Sequence, residues 1–310
     1  MSSEQWNRRE FFAALAGGAA AFSIPSRAFG QNAPAPIKAT RLSDRITMMS
    51  GDGGNVGVIL SDSGLMMIDG GLPERASDML GAVTGVDAHP VTLLFNTHWH
   101  FDHIGCNETL GAKGVKIMAQ ENVKKRLSVR TTMESMNRTF DPLKPQGLPT
   151  QEFSKSGKMT FGKEKIEYVH IPTAHTDGDT YLFFPDANIL HTGDLLFNGF
   201  YPVIDYSTGG WVGGMARAAE EIARRCDAKT KVIPGHGPLA SKDDLKAAGE
   251  MLSTVTQRLE KLIKEGKSAD EAVAAAPTRD FDDKFGHGAF KPDAWTRIAY
   301  TSIVRHSQKS

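Results

Sequence analysis

Cysteine is almost missing from the 310 residues: there are two, Cys106 and Cys226. That excludes a disulfide scaffold, which needs several pairs at close spacing. The two lie far apart in unlike contexts and are not expected to pair. Cys106 reads as a small buried apolar residue. An excess of charge is missing too, since Lys+Arg and Asp+Glu both number 36. This removes the electrostatic footprint expected of a protein that binds nucleic acid or an anionic membrane surface. A long apolar run is also lacking. The stretch AALAGGAAAFSIP near the N-terminus is too short to anchor the chain stably in a bilayer. No GxSxG elbow is present, so nothing points to a serine nucleophile.

What is there fits a soluble globular protein: 40% apolar and 23% charged residues, in a length that allows one large domain or two ordinary ones. Thirty-one glycines suit a fold with many tight turns. Arg8-Arg9, followed by Phe11-Phe12 and the Ala/Gly-rich stretch, reads residues 1–30 as a twin-arginine export signal. It implies export machinery as a partner, a periplasmic or exported location, and no stable membrane anchor. Twin-arginine export carries folded proteins, which fits a metal chosen in the cytoplasm. Residues 31–42 read as a linker. Residues 43–310 read as one domain, closed by helices from about residue 242.

Within that domain, ITMMS, NVGVIL and LMMIDGG are short apolar runs broken by Gly and Asp, the pattern of β-hairpins. VTLLFN and VKIMAQ follow as strands, and ENVKKRLSVR as a helix. Residues 131–160, rich in Pro and polar residues with scattered Met and Phe, read as a flap near the site. KIEYVHIP, TYLFFP, NILHTG and KVIPGHG are strands again. GMARAAEEIARRC and DDLKAAGEMLSTVTQRLEKLIKEG have helical spacing. Ser268–Glu271 forms a capping box, and Pro292 opens a last helix. Two β-rich halves with helices outside predict an α/β fold, a four-layer αββα sandwich.

The stretch THWHFDHIG, directly after VTLLFN, crowds His98, His100, Asp102 and His103 into six positions. In an extended segment side chains two apart point the same way, so His98 and His100 can grip one ion. Asp102 and His103 turn away as the chain bends, and can feed a second ion. His175 in AHTDGD, Asp194 in HTGD and His236 in PGHG stand in similar settings, each after a short apolar strand with Gly nearby. Five His and two Asp supply two sites if one carboxylate is shared, and Asp194 is assigned that role. A donor set with no thiolate suits two Zn2+ ions, and is compatible with Fe or Mn. His170 and His191 read as core or face residues, and His89, His287 and His306 as surface residues. Asp177 and Asp179 read as shaping the turn of His175.

The pattern His98-x-His100-x-Asp102-His103, then His175, Asp194 and His236, resembles the metallo-β-lactamase superfamily over roughly residues 43–240. The resemblance implies an αββα fold with a dinuclear site between the sheets. It implies His98, His100 and His175 on one ion, and Asp102, His103 and His236 on the other, with Asp194 between. Asp69 matches an acidic residue that orients a ligand histidine. Two cations so placed bring the pKa of a shared water near neutrality, and the hydroxide attacks an electrophilic centre. Asp102 orients it and passes its proton on. The expected substrate is a small cyclic amide or ester, β-lactamase-like, with a lactone or a glyoxalase II-type thioester as the alternative. Readings from other classes are a non-catalytic exported binding protein and a di-iron redox protein. Met133, Met136 and Phe140, with Phe197, Phe200, Tyr201 and Trp211, are candidates to line an apolar pocket.

Overall fold

The computed structural model describes residues 35–308. The export signal expected over residues 1–30 lies outside them, as does the start of the expected linker. The chain runs β1 (Lys38–Arg41), β2 (Ile46–Ser50), β3 (Val56–Ser61), β4 (Gly64–Ile68), α1 (Ala76–Val86), β5 (Val91–Asn96), α2 (Asn107–Gly111), β6 (Lys116–Gln120) and α3 (Glu121–Leu127). It continues through β7 (Thr131–Met133), β8 (Arg138–Phe140), β9 (Gln151–Phe153), β10 (Gly157–Phe161), β11 (Glu164–His170), β12 (Thr180–Phe184) and β13 (Ile189–His191). It ends with α4 (Val212–Arg225), β14 (Lys231–Ile233), α5 (Lys242–Lys264), α6 (Ala269–Ala274), α7 (Asp282–Phe285) and α8 (Pro292–Ser307).

Two sheets result. The first has the order β1-β2-β3-β4-β5-β6-β9 and the second β10-β11-β12-β13-β14. β1 to β4 pair antiparallel, and β4, β5, β6 and β9 pair parallel. In the second sheet only β13 and β14 are parallel.

The side-chain period of two explains the layering. On β4, Met66 and Ile68 point to the layer between the sheets, while Leu65 and Met67 point outward. Both faces are buried, so the strand reads as continuous apolar sequence rather than alternation. Ile46, Ile59, Leu93 and Phe95 join the inner layer and meet Ile166, Leu182, Phe184 and Ile233 of the second sheet. Outside the first sheet, Val58, Leu65, Met67 and Leu94 pack on Met79 and Val83 of α1 and Leu110 of α2. Outside the second, Leu190 and Val232 belong to one core with Ile222 of α4, Val255 of α5 and Trp295 of α8. The result is the expected four-layer αββα sandwich.

Two expectations need correction. Lys38–Arg41, inside the expected linker, is the edge strand β1. All four of its side chains are exposed, so the backbone ladder that holds it leaves no apolar pattern. Residues 131–160 are not one flap. β7 and β8 form a hairpin, β9 closes an edge of the first sheet, and β10 opens the second. Side chains of these strands alternate with exposed ones or stay partly exposed, so no apolar run marks them. Cys106 and Cys226 are both buried and unpaired with each other. No helix among the described residues is long and apolar enough to cross a membrane.

Candidate metal centre

The candidate ligands sit at the ends of strands that abut at one rim of the sandwich. β4 delivers Asp69, β5 delivers the loop His98–His103, and β11 leads into the turn that holds His175. β13 delivers Asp194 and β14 delivers His236. Backbone bonds tie these ends together: Asp69 N donates to Phe95 O at 2.8 Å, and Thr192 N to Ile233 O at 2.9 Å. Gly193 has φ +50°, a conformation that costs a residue with a Cβ. A Cβ on Gly235 would strike Asp194 Oδ1.

All seven sequence-expected ligands come together, in two groups. His98, His100, His175 and Asp194 form one, and Asp102, His103 and His236 the other; within each, the donor atoms lie within 4.8 Å of one another. Asp194 faces both groups. Its Oδ2 lies 3.3 Å from His175 Nε2 and 3.7 Å from His98 Nε2. Its Oδ1 lies 3.0 Å from His103 Nε2 and 3.4 Å from His236 Nε2. Asp102 Oδ2 is 3.2 Å from His236 Nε2.

Partners on the far side of each ring set its tautomer. His175 Nδ1 donates to Val203 O at 2.8 Å, which leaves Nε2 of the neutral ring a lone pair. His100 Nε2 faces Asp205 Oδ2 at 3.2 Å, which turns the Nδ1 lone pair inward. His100 Nδ1 and His175 Nε2 then stand 2.8 Å apart, acceptor to acceptor. Such a contact is stable only with a proton or a cation between the two nitrogens. His103 repeats the pattern, with Nδ1 2.8 Å from Asp69 Oδ2 and Nε2 3.2 Å from His236 Nε2. His98 Nε2 and Asp194 Oδ1 are buried with no aligned hydrogen-bond partner. Buried polar atoms are ordinarily paired, so these donors fit a cation pair.

The electrostatics agree. Burial, then the positive charge of His103, holds the His98 imidazole well below its usual range. Burial brings His175 to about 4 against the pull of Asp194. Both rings are therefore neutral and able to ligate near neutral pH. Burial disfavours the charged form of Asp194, but His103 and His236 outweigh it and hold the carboxyl well below its usual value. Asp102 is likewise brought to about 2, against burial, by His103 and His236. Burial also opposes the charge on His236, but Asp194 and Asp102 raise it to about 9, and His103 is raised well above normal by Asp194, Asp69 and Asp102. In the cation-free protein, the second group thus holds protons where a cation would sit.

Asp69 behaves as expected. Its carboxylate accepts from Thr97 N, Thr97 Oγ1 and His103 Nδ1, each at 2.8 Å. It has φ +64°, uncommon for a residue other than glycine. Asp179 shapes the turn of His175, accepting from the backbone N of His175 and Thr176 at 2.7 and 2.8 Å. Asp177 pairs with Arg126 instead. His170 is half-buried and His191 fully buried, as expected, and His89 and His287 are exposed. His306 is only partly exposed, because it stacks on Trp211 with ring centres 3.9 Å apart.

Sequence reasoning missed Asp205. It holds His100, and also accepts from Ser207 Oγ at 2.8 Å and Thr208 Oγ1 at 2.6 Å. The run DYSTGG marks a turn, but nothing in it marks a partner for a histidine more than a hundred residues earlier.

A cleft of about 1590 Å³ opens onto the centre and reaches Asp102, Asp194 and His236. Met133, Met136, Phe197, Phe200 and Tyr201 line it, as expected. Phe140 lines a smaller side cavity. Trp211 does not reach the cleft, being held between His306 and Arg217.

Comparison with known proteins agrees with this geometry. Residues 49–236 match the family model described as the Metallo-beta-lactamase superfamily. A metallo-beta-lactamase type 2 from Bacillus cereus is 23% identical over 190 residues, 60% of this chain and 68% of that protein. A hydroxyacylglutathione hydrolase from Brucella ovis is 33% identical over 106 residues, covering 34% of this chain and only 33% of that enzyme. Among solved structures, a metallo-beta-lactamase from Pontibacter korlensis superposes with a TM-score of 0.59 at 18% identity, over 70% of this chain and 99% of that one. The sec-alkylsulfatase Pisa1 from Pseudomonas sp. superposes with 0.65 at 15% identity, over 86% of this chain and 50% of that one.

Proposed function

Because the chain belongs to the metallo-beta-lactamase superfamily, we propose that it is a dinuclear zinc hydrolase that opens a cyclic amide or ester. The observation that carries this reading is the two-sided contact of Asp194 with both donor groups. His98, His100 and His175 would hold one cation and Asp102, His103 and His236 the other, with Asp194 shared. Nitrogen and oxygen donors without thiolate suit zinc. When bound, the pair supplies Lewis acidity and brings water toward ionisation at neutral pH.

The chain's own groups do the rest. Asp205, Val203 O and Asp69 fix the rings of His100, His175 and His103, so their lone pairs need no reorientation during turnover. Asp102 lines the cleft and is ionised at neutral pH. Its carboxylate accepts a hydrogen bond from the attacking water and sets its direction. Asp102 can take the proton that the water gives up and pass it to the departing nitrogen or oxygen. The cleft exceeds the roughly 300–1,000 Å³ of ordinary ligand pockets, which argues for a substrate with more bulk than the reacting ring alone.

A second reading, thioester hydrolysis, draws support from the partial likeness to hydroxyacylglutathione hydrolase. The twin-arginine pattern at Arg8-Arg9 favours export and an extracytoplasmic substrate. The test is metal analysis of the purified protein together with a panel of a cephalosporin, a lactone, a thioester and a phosphodiester. Two equivalents of zinc and turnover of the cyclic substrates are expected. Asp194→Ala is expected to lose bound metal and more than the roughly 100-fold of activity that an outer partner is worth. Absence of transition metal, or intact turnover in Asp194→Ala, refutes the reading.

A further inference from the structure

One loop carries the outer partners of two donors in the first group. Val203 O accepts from His175 Nδ1 at 2.8 Å, and Asp205 Oδ2 faces His100 Nε2 at 3.2 Å. Asp205 N also donates to His175 O at 3.0 Å. The Asp205 side chain is fully buried, and both its oxygens are engaged. Oδ2 also accepts from Thr208 Oγ1 at 2.6 Å, and Oδ1 accepts from Ser207 Oγ at 2.8 Å and Ser207 N at 3.2 Å.

The bonds between Ser207 and Asp205 span two residues and belong to an ordinary Asx turn. A third bond does not. Ser207 Oγ accepts from Glu134 N at 2.8 Å, a link across 73 residues. Glu134 stands in the turn that joins β7 to β8, between Met133 and Met136, which both line the cleft. Its carboxylate takes both terminal nitrogens of Arg305 in α8, at 2.8 and 2.6 Å. The Arg305 guanidinium carbon lies 4.8 Å from the ring centre of Tyr206, next to Ser207. Hairpin, loop and last helix therefore meet at one hydroxyl. A hydroxyl has one proton to give and lone pairs to receive. Here the proton goes to the carboxylate behind His100, and a lone pair takes the hairpin. We propose that Ser207 is a positioning residue that ties the Met133–Met136 wall of the cleft to the His100 donor, so that the two are set as one unit. An outer carboxylate that cannot swing keeps the inner lone pair of its histidine in place. The inference rests on the reading of the seven donors as a metal centre.

The ring proton on His100 Nε2 reports the link, followed by nitrogen-15 NMR of the zinc-loaded protein. Held by Asp205, it is expected as a resolved signal in slow exchange with water. Ser207→Ala should speed that exchange at least tenfold, and Ser207→Thr, which keeps the hydroxyl, should stay within threefold of wild type. Glu134→Pro removes the N–H of the hairpin at a first helical position that tolerates proline, and should speed exchange at least fivefold. Glu134→Gln keeps the N–H, loses the charge pair with Arg305, and should stay within twofold. Exchange at Val232 N, which donates to Ala240 O at 2.9 Å in the core, should not move in any of the four. The proposal is overturned by a wild type without a slow signal, by unmoved exchange in Ser207→Ala or Glu134→Pro, by a threonine variant as fast as the alanine one, or by equal acceleration at Val232. Failure to take up zinc overturns the metal-centre reading and this inference with it. Zinc bound with His100 exchange unmoved overturns this inference alone.

Discussion

Single residues in this centre act mostly through the next residue out. Asp69 has no place among the seven donors, yet it joins Thr97 to His103 through three 2.8 Å contacts. Asp69→Ala is expected to weaken cation binding in the second group by about 10–100-fold, as read by competition with a chromophoric chelator. Protons compete for the same place. His236, at about 9, and His103, also raised, are protonated at neutral pH in the cation-free protein. Cation entry must displace those protons, so apparent affinity rises with pH up to about 9 and falls in acid. Calorimetry in buffers of different ionisation enthalpy should register proton release on binding. The cation-free fold shows the opposite trend. A raised His236 adds stability in full below its unfolded value near 6.5 and loses it as pH passes 9. The candidate donors were legible from sequence because each follows a short apolar strand in a turn rich in Gly or Asp. Asp205 was not, because its link to His100 exists only once two distant turns have closed on each other.

At the level of elements, legibility followed burial. β4 announced itself, since both its faces are covered and LMMI leaves no polar gap. β1, with every side chain exposed, and the three-residue strands β7, β8 and β9 left no such trace. What holds them is pairing with neighbours, which sequence pattern does not encode. The helices were plainer. α5 begins at a capping box in which Ser241 Oγ accepts from Asp244 N, and the Asp244 carboxylate accepts from Ser241 N. Ser241→Ala is expected to cost about 1 kcal/mol with no change in metal content, measurable by urea denaturation. The effect is expected to stay local because Ser241 is exposed and its side chain bonds only within the cap, to Asp244.

The molecule as a whole is two sheets meeting at a rim of charge. His98, His100, Asp102 and His103 follow a strand of the first sheet, and His175, Asp194 and His236 follow strands of the second. Stripping the cations leaves the lone pairs of His100 and His175 facing each other across that rim. Chelation is therefore expected to lower the melting temperature, and zinc to restore it in proportion to ln(1 + [Zn]/Kd). Differential scanning fluorimetry reads both. The division of donors between halves has one more effect. In a chain with no cystine, a bound cation pair would clasp the two halves together, and an ion would undo and refasten that clasp. Where thiols would be at the mercy of the redox state around them, the fastening here answers to free metal and acidity alone.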